Sequence, residues 1–224
     1  MVVKRALKFA WHAMQDAPDR ALHPFRRQRA SRELRGKLPK SVVFVCHGNI
    51  CRSPFAAACF QRLASASLKG RIATSSVGFI GPGRGAPPAA LSAAERRGLD
   101  LSKHRSRLVT PKVLRAADLI VVMSPEQARK LRRAAKHEVP IVVLGDLDPQ
   151  AISARTVIDP WGGSDEVFDA SYDRIERCIR ELVRLLSDDV TDPKSPAEPA
   201  TTRASSEASV GRAGRGTSPR ERPR

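Results

Sequence analysis

Between residues 41 and 190, short apolar runs alternate with longer stretches in which apolar residues recur every three or four positions. Four short runs, rich in β-branched residues, predict buried strands at 42–45, 71–76, 118–123 and 140–144. The clearest helix comes last, with apolar positions at Phe168, Tyr172, Ile175, Ile179, Leu182 and Leu186. Continuously apolar strands that alternate with helices are typical of parallel sheets. The pattern therefore predicts an α/β fold, with a small four-stranded parallel sheet and helices on both faces.

The two ends of the chain follow other patterns. Residues 191–224 hold one large apolar residue among Pro, Ser, Thr, Gly and Arg, which predicts a disordered tail after a domain at 41–190. Residues 1–40 form a basic N-terminal extension, in which Pro18 and Pro24 are expected to break the chain before a basic link to the domain. Ahead of these prolines we predict a short amphipathic helix that suits either a membrane surface or the protein's own domain. Its apolar face holds Val3, Leu7, Ala10, Trp11 and Met14, and its basic face holds Lys4, Arg5, Lys8 and His12.

Most of the excess positive charge lies in these ends. The formal net charge is +17, and residues 41–190 contribute +6 of it, with 22 Lys and Arg against 16 acidic residues. Such an excess raises nucleic acid or an anionic membrane as a partner, although a soluble domain with basic flanks is the simpler interpretation. No stretch approaches about 18 apolar residues, and the N-terminus lacks the apolar block of a signal peptide. We therefore expect a cytoplasmic protein, or one peripheral at a membrane.

One stretch at the end of the first predicted strand, VFVCHGNICRSP, carries distinctive chemistry. Parallel sheets bind ligands beyond the carboxyl ends of their strands. Backbone N–H groups in a turn that leads into a helix can surround an anion, and Gly48 and Asn49 permit the backbone conformations that such a turn needs. Arg52 adds a planar fork for two phosphate oxygens, and these electropositive surroundings favour the thiolate of Cys46. The stretch predicts a nucleophile inside a phosphate-binding loop, called here the anion loop (46–53).

The spacing of the cysteine and the arginine is weak evidence by itself. Cys178 and Arg184 repeat it inside the last helix, but no strand precedes that copy and it contains no glycine. Ser53 and Pro54 supply helix-start chemistry only in the first copy. Four cysteines do not suggest a secreted disulfide framework, and Cys59 is predicted to lie in the core.

Several motifs of the chain resemble those of a known family. VCHGNICRSP is similar to the phosphate-binding loop of low-molecular-weight protein tyrosine phosphatases, and the similarity extends over about residues 41–187. It includes SSVG after the second predicted strand, GLDLSKHRSR before the third, ADLIVVM, and DPWGG before the last helix. The resemblance implies a cysteine-dependent protein-tyrosine phosphatase that forms a phosphocysteine intermediate and needs no metal or other cofactor. Its substrate would be a phosphotyrosine-bearing protein or a small aryl phosphate.

The resemblance also implies roles for individual residues. Cys46 would attack phosphorus, Arg52 would hold phosphate oxygens, and Asp159 would protonate the leaving group and then activate water. Asp148, in a second Asp-Pro pair, resembles a structural motif of some members, so Asp159 is the preferred acid. Contacts to the substrate are predicted for the anion loop and for one aromatic residue: His47, Gly48, Asn49, Ile50, Cys51, Ser53 and Trp161.

Three of the surrounding residues carry supporting predictions. Ser53 would donate a hydrogen bond to the Cys46 thiolate, or merely cap the helix. His104 matches a family histidine that supports Asn49, which is a structural role. Trp161 would form a wall on which a substrate ring stacks, or it would pack in the core.

Cys51 lies close enough in sequence to Cys46 for a reversible disulfide. Such a bond would protect the nucleophile from irreversible oxidation. An inert small residue of the loop is the alternative.

Some features depart from the family pattern. The segment GFIGPGRGAPP (78–88) has no aromatic residue where eukaryotic members carry a substrate wall, and the family domain explains neither end of the chain. Thioredoxin-coupled arsenate reductases share the loop, but they need resolving cysteines after the third strand, and none lies between Cys59 and Cys178. Arginine phosphatases of this fold carry a threonine where Ile50 stands, so phosphotyrosine is the preferred substrate. A non-enzymatic basic protein that binds nucleic acid or a membrane through its ends is the alternative from another class.

Overall fold

The computed structural model describes residues 19–35, 37–68, 72–134 and 139–187. The amphipathic helix and the tail, which were predicted at the two ends of the chain, lie outside these residues. None of the helices that can be described is long and apolar enough to cross a bilayer.

Four parallel strands form a single sheet in the order β2-β1-β3-β4, which confirms the predicted fold class. The strands are β1 (Ser41–Cys46), β2 (Ala73–Gly78), β3 (Leu119–Val122) and β4 (Ile141–Val143). β2 lies two residues later than the sequence predicts, and its last pair joins Gly78 to Cys46. SSVG is therefore the end of this strand and does not follow it. Ser75 and Ser76 lie in the strand as predicted, and Ser76 is buried and hydrogen-bonded.

Helices cover both faces of the sheet, and the last helix lies where its pattern predicts. The helices are α1 (19–34), α2 (Arg52–Ser67), α3 (Pro88–Glu95), α4 (Pro111–Arg115), α5 (Pro125–Ala134) and α6 (Asp165–Ser187), with a 3₁₀ turn at Leu144–Leu147. Alternate side chains of β1 enter two separate apolar clusters. Val42 and Phe44 pack with α2 and α6, whereas Val43 and Val45 join the cluster that contains residues of α4 and α5.

The expectation that Pro24 breaks the chain is wrong, since residues 19–34 are helical. A proline inside a helix is costly, because it removes one backbone hydrogen bond. Tertiary contacts offset that cost here. His23, Ala30 and Leu34 are buried on one side of α1, and Ala30 and Leu34 belong to the main core. The segment predicted as a basic link is therefore a helix docked on the domain.

Candidate active site

Cys46 lies buried at the carboxyl end of β1, an inner strand of the sheet. Its Sγ accepts a hydrogen bond from the backbone N–H of Asn49 at 3.2 Å and lies 3.0 Å from Ser53 Oγ. Because α2 begins at Arg52, the partial positive charge of the helix start adds to these donors. The sulfur therefore lies among hydrogen-bond donors at the start of a helix.

Asn49 connects the anion loop to its neighbours. It is the one non-glycine residue in the described part of the chain with a positive φ, +52°, a conformation that asparagine tolerates better than most residues. Its Nδ2 donates to Ser53 Oγ and to Ser76 Oγ, both at 2.9 Å. Its Oδ1 accepts from the backbone N–H of Arg107 at 2.8 Å. One side chain thus ties the loop to β2 and to the segment before α4.

Carbonyl oxygens of the anion loop bind donors that lie outside it. The pairs are His47 O with Phe79 N (2.8 Å), Gly48 O with Arg84 Nη2 (3.0 Å), Asn49 O with His104 Nε2 (2.7 Å) and Cys51 O with the Tyr172 hydroxyl (3.2 Å). In a trans peptide the carbonyl and the following N–H point in opposite directions. Peptides whose carbonyls are held outward therefore present their N–H groups inward, as the bond from Asn49 to Cys46 shows.

His104 lies where the resemblance places it, against Asn49. Its Nε2 must donate this hydrogen bond, because the carbonyl oxygen of Asn49 can only accept. Burial lowers the pKa of His104, although the hydrogen bond to Asn49 O opposes this effect. A neutral imidazole with its proton on Nε2 satisfies both conditions.

The hydroxyl of Ser53 is oriented by its neighbours. Its oxygen accepts from Asn49 Nδ2, so its own hydrogen is free to point to Cys46 Sγ at 3.0 Å or to Val77 O at 3.5 Å. The shorter contact is the one to sulfur. Cys51, and not Ser53, occupies the N-cap position of α2, so the interpretation of Ser53 as a cap is wrong.

Arg52 lies buried at the start of α2 and faces Asp159. Its Nη1 donates to Val157 O at 3.1 Å, and its Nη2 forms a salt bridge with Asp159 Oδ2. Its Nε is buried and has no hydrogen-bond partner among the described residues. Asp159 remains 45% exposed at the mouth of the site. One donor of the guanidinium is therefore buried without an acceptor among the described residues.

Asp148, the other aspartate considered as an acid, is held away from this arrangement. Its carboxylate is buried and accepts hydrogen bonds from Arg174 and Arg177. Burial alone would raise the pKa of Asp148, but hydrogen bonds from Arg177 and the Gln150 amide reverse this, so the pKa lies below its ordinary value. A carboxylate that is held ionised and buried fits a structural role.

A cleft opens above Cys46, between the anion loop and the pair formed by Arg52 and Asp159. Its rim is formed by Ile80, Arg84 and Trp161. Trp161 is 62% exposed, so the interpretation of this residue as part of the core is wrong.

The remaining cysteines are buried thiols. Burial raises the pKa of Cys51 to about 12, with a further contribution from the nearby Asp159 carboxylate. Burial also raises the pKa values of Cys59 and Cys178 to about 12, and both residues belong to the main core. Neither therefore fits a resolving thiol of an arsenate reductase. No group of three or more His, Cys, Asp or Glu suited to a metal ion is found within the described segments.

Several contacts of the site escaped sequence reasoning. Arg84, whose guanidinium donates to Gly48 O, is the only charged residue of the 78–88 segment, and that is the signal that could have identified it. Tyr172 was predicted only as an apolar helix position. The partners of Asn49 on β2 and before α4 leave no signal in a single sequence.

A family model described as low molecular weight phosphotyrosine protein phosphatase matches residues 41–192. The chain belongs to this family. The chain is 34% identical over 154 residues to the low molecular weight phosphotyrosine protein phosphatase of Sus scrofa, a match that covers 66% of this chain and 96% of that protein. It is 29% identical over 150 residues to the protein-arginine-phosphatase of Bacillus subtilis, covering 66% of this chain and 97% of that protein.

Solved structures of low molecular weight phosphatases share the fold. The crystal structure of the tyrosine phosphatase Wzb from Escherichia coli K30 in complex with sulphate matches with a TM-score of 0.59 at 28% identity. That match covers 66% of this chain and 99% of that chain. The predicted family is confirmed, and the relatives named here include both a tyrosine and an arginine phosphatase.

Proposed function

We propose that this protein hydrolyses phosphotyrosine in proteins, with Cys46 as the nucleophile and Asp159 as the acid. One observation carries the proposal: Arg52, whose buried Nε has no partner among the described residues, lines the same cleft as Cys46, whose sulfur accepts a backbone hydrogen bond. A buried donor without an acceptor is costly, so its presence favours an anionic ligand at this position. A phosphoryl group meets Arg52, the inward N–H groups and the sulfur at once.

The chemistry proceeds in two displacements. The Cys46 thiolate attacks phosphorus, the bond from phosphorus to the phenolic oxygen breaks, and Asp159 donates its proton to that oxygen. The carboxylate of Asp159 then takes a proton from water as the water oxygen attacks the phosphocysteine. The bond from phosphorus to sulfur breaks, phosphate leaves and the thiolate is restored. Arg52 and the inward N–H groups bind the non-bridging oxygens throughout.

The proposed mechanism needs the guanidinium of Arg52 for the phosphoryl group, and in the structure this guanidinium binds Asp159. A phosphate group competes with Asp159 for the guanidinium, because both offer oxygens to the same planar fork. Binding of substrate therefore releases Asp159 from the guanidinium toward the leaving group, and the carboxylate takes up a proton from solvent before it acts as the acid. The half-exposed position of Asp159 leaves room for this movement.

Two residues favour an aryl phosphate over phosphoarginine. Trp161 is exposed on the rim, where a substrate ring can stack, and Ile50 lines the cleft with an apolar side chain where arginine phosphatases of this fold carry threonine. Matched peptides that bear phosphotyrosine or phosphoarginine test this choice. We expect faster turnover of phosphotyrosine, and in Ile50→Thr a shift of the kcat/KM ratio toward phosphoarginine. An unmodified enzyme that prefers phosphoarginine contradicts the assignment.

Cys51 gives the same site a protective thiol. It lies in the anion loop, and it is buried and neutral, so it does not compete with Cys46 as a nucleophile. A sulfenic acid formed on Cys46 by peroxide condenses with the Cys51 thiol, with loss of water, to a disulfide. Peptide mapping after mild peroxide treatment, and recovery of activity with dithiothreitol, test this step. Recovery to the same extent in Cys51→Ala contradicts it.

The N-terminal region supplies a surface for an anionic membrane. Leu22 and Phe25 are exposed on α1, 46% and 70% respectively, and Arg29 and Arg32 continue the same exposed side. Residues 1–40 carry 11 Lys and Arg against 3 acidic residues. An apolar pair among arginines suits an interface of anionic lipid, to which each basic residue adds about 1 kcal/mol of attraction.

Sedimentation of the full chain with vesicles tests this surface. We expect binding to vesicles that contain phosphatidylserine, weaker binding to pure phosphatidylcholine, and loss of binding in Leu22→Ser/Phe25→Ser. Equal binding to vesicles by that variant contradicts the proposal. So does a wild-type chain that binds DNA in a salt-sensitive manner but does not bind the vesicles. Both substituted side chains are exposed, so the fold should tolerate the change.

Hydrolysis of p-nitrophenyl phosphate in the presence of EDTA tests the enzymatic proposal itself. We expect turnover that survives the chelator, that disappears in Cys46→Ser and that remains in Cys178→Ala, whose thiol lies in the core. An inactive wild-type enzyme, or an active Cys46→Ser variant, contradicts the proposal.

A further inference from the structure

α1 contacts the part of the chain that leads to Asp159, called here the acid segment (154–159). The carboxylate of Asp19 accepts a hydrogen bond from the backbone N–H of Arg155 at 3.2 Å. The guanidinium of Arg155 in turn binds Asp146 through two hydrogen bonds of 2.8 and 2.6 Å. Asp19 therefore holds the backbone of Arg155, and Asp146 holds its side chain.

A second route runs from α1 through Asp148. His23 is buried, and its Nε2 donates to Asp148 O at 2.8 Å. The carboxylate of Asp148 binds Arg174, whose guanidinium donates to Ala154 O at 2.7 Å and to Thr156 O at 3.0 Å. Two backbone carbonyls of the acid segment are thus held by Arg174, whose partner Asp148 accepts a hydrogen bond from His23 of α1.

The acid segment has little freedom to move on its own. A side-chain carbon added at Gly145 would lie 2.0 Å from Arg155 O, so the two backbones are in direct contact. Both backbone groups of Val157 are hydrogen-bonded. Its N–H donates to Met123 O at 2.9 Å, and its carbonyl oxygen accepts from Arg52. The place of Asp159 therefore depends on contacts spread along the whole acid segment, and the contact to the Arg155 amide is one that α1 supplies.

α1 is anchored independently of these contacts. Ala30 and Leu34 lie in the main core, and Arg27 forms a salt bridge of 2.6 Å with Glu181. Substitution of the contacts near its start, at Asp19 and His23, therefore leaves the rest of the helix docked.

We propose that α1 positions the catalytic acid, with Asp19 and His23 as positioning residues that act through the acid segment. The proposal rests on the function proposed above for Asp159. The family model begins at residue 41, so this support lies outside the segment it matches. Placement matters for such a group, since an error of about 1 Å in an active site can lower a rate by about 100-fold.

A series of aryl phosphates with different leaving groups separates positioning from simple stability. An acid matters most for a basic leaving group such as phenolate and least for 4-nitrophenolate, which leaves without full protonation. The measured quantity is kcat/KM, because it reports the steps up to departure of the first product. The variants are Asp19→Ala, His23→Ala and, as the matched control on the exposed side of the same helix, Gln28→Ala. Asp159→Asn serves as the reference for complete loss of the acid.

We expect Asp19→Ala and His23→Ala to lower kcat/KM for phenyl phosphate by about threefold to tenfold, a small part of the roughly 10²- to 10⁴-fold that an acid contributes. Their kcat/KM for 4-nitrophenyl phosphate should fall by less than half as much, and Gln28→Ala should resemble the wild type with both substrates. A purely structural role reduces the fraction of folded enzyme and therefore lowers kcat/KM for both substrates by the same factor. That result overturns the proposal. An unchanged ratio of kcat/KM between the two substrates in a fully folded Asp19→Ala variant also overturns the proposal. This variant is expected to fold, because the Asp19 side chain is one-third exposed.

Failure of the underlying function is distinguishable. In that case Asp159→Asn itself shows no dependence on the leaving group, whatever the α1 variants do.

Discussion

The hydroxyl of Tyr172 donates a hydrogen bond of 3.2 Å to the carbonyl oxygen of Cys51. It joins the last helix to the anion loop, and the Tyr172 ring stacks on Phe55 at 3.9 Å. Tyr172→Phe keeps the stacking but removes the donor. The carbonyl retains a second bond from the Phe55 N–H, so we expect a loss of about 1 kcal/mol in the free energy of unfolding. Urea unfolding measures this loss. Tyr172→Ala, which also removes the ring, should cost about 3 to 5 kcal/mol, and equal losses in the two variants contradict the assignment.

Among the described residues, Ser53 supplies the one side-chain hydroxyl within hydrogen-bond distance of Cys46 Sγ, and Ser53→Ala removes it. The sulfur retains the Asn49 N–H, so activity falls without disappearing. We expect kcat for p-nitrophenyl phosphate to fall by about tenfold, which corresponds to about 1.4 kcal/mol, the strength of one hydrogen bond to a charged group. Ser65→Ala, in the same helix but bonded only to its own backbone turn, is the control and should match the wild type. Equal activity of the two variants argues against a bond from Ser53 to the thiolate.

Arg52→Lys keeps the charge at the start of α2 but removes the fork and the unpaired Nε. A lysine cannot hold two oxygens of one phosphate in a fixed plane. We therefore expect kcat/KM for aryl phosphates to fall by at least about 100-fold and inhibition by inorganic phosphate to weaken. Arg29→Lys, on the exposed side of α1, should change neither quantity. Retention of phosphate inhibition by Arg52→Lys would argue against this residue as the oxygen-binding group.

Asp148→Asn should weaken the fold in a manner that depends on pH. The pKa of Asp148 lies below its ordinary value in the folded protein, so the ionised carboxylate stabilises the fold at neutral pH. That contribution is lost as the pH falls below about 4 and through the lowered pKa of the folded state. We expect the variant to be about 2 kcal/mol less stable than the wild type at pH 7, with a difference that narrows toward pH 3. Urea unfolding at several pH values measures this. A difference that is the same at all pH values contradicts the ionised state of Asp148.

Sequence reasoning predicted those parts of the fold that depend on local pattern. β1, β3 and β4 are continuous apolar runs, and α6 repeats its apolar positions so regularly that only its ends had to be found in the structure. The prediction for β2 included Ser75 and Ser76 correctly but ended before Val77 and Gly78, whose place in the strand depends on pairing with β1.

The site likewise combines residues that a local motif predicts with residues that only distant contacts bring together. Cys46 and Arg52 stand together in one short motif, and the structure brings both to the cleft with Asp159. The outward donors to the loop carbonyls come from positions 79, 84, 104 and 172, and only His104 was anticipated, through the family resemblance. Contrary to the prediction, Pro24 does not interrupt the N-terminal helix, because tertiary contacts of α1 outweigh the local penalty of a proline.

The central claim is that Cys46 becomes covalently phosphorylated inside the anion loop. Rapid acid quench of the enzyme during turnover of p-nitrophenyl phosphate, followed by mass spectrometry of its peptides, tests this claim most directly. The account predicts one phosphoryl group on the peptide that contains Cys46, attached to sulfur, and none in Cys46→Ala. Turnover without a phosphorylated peptide, or a phosphoryl group on any other residue, would contradict it.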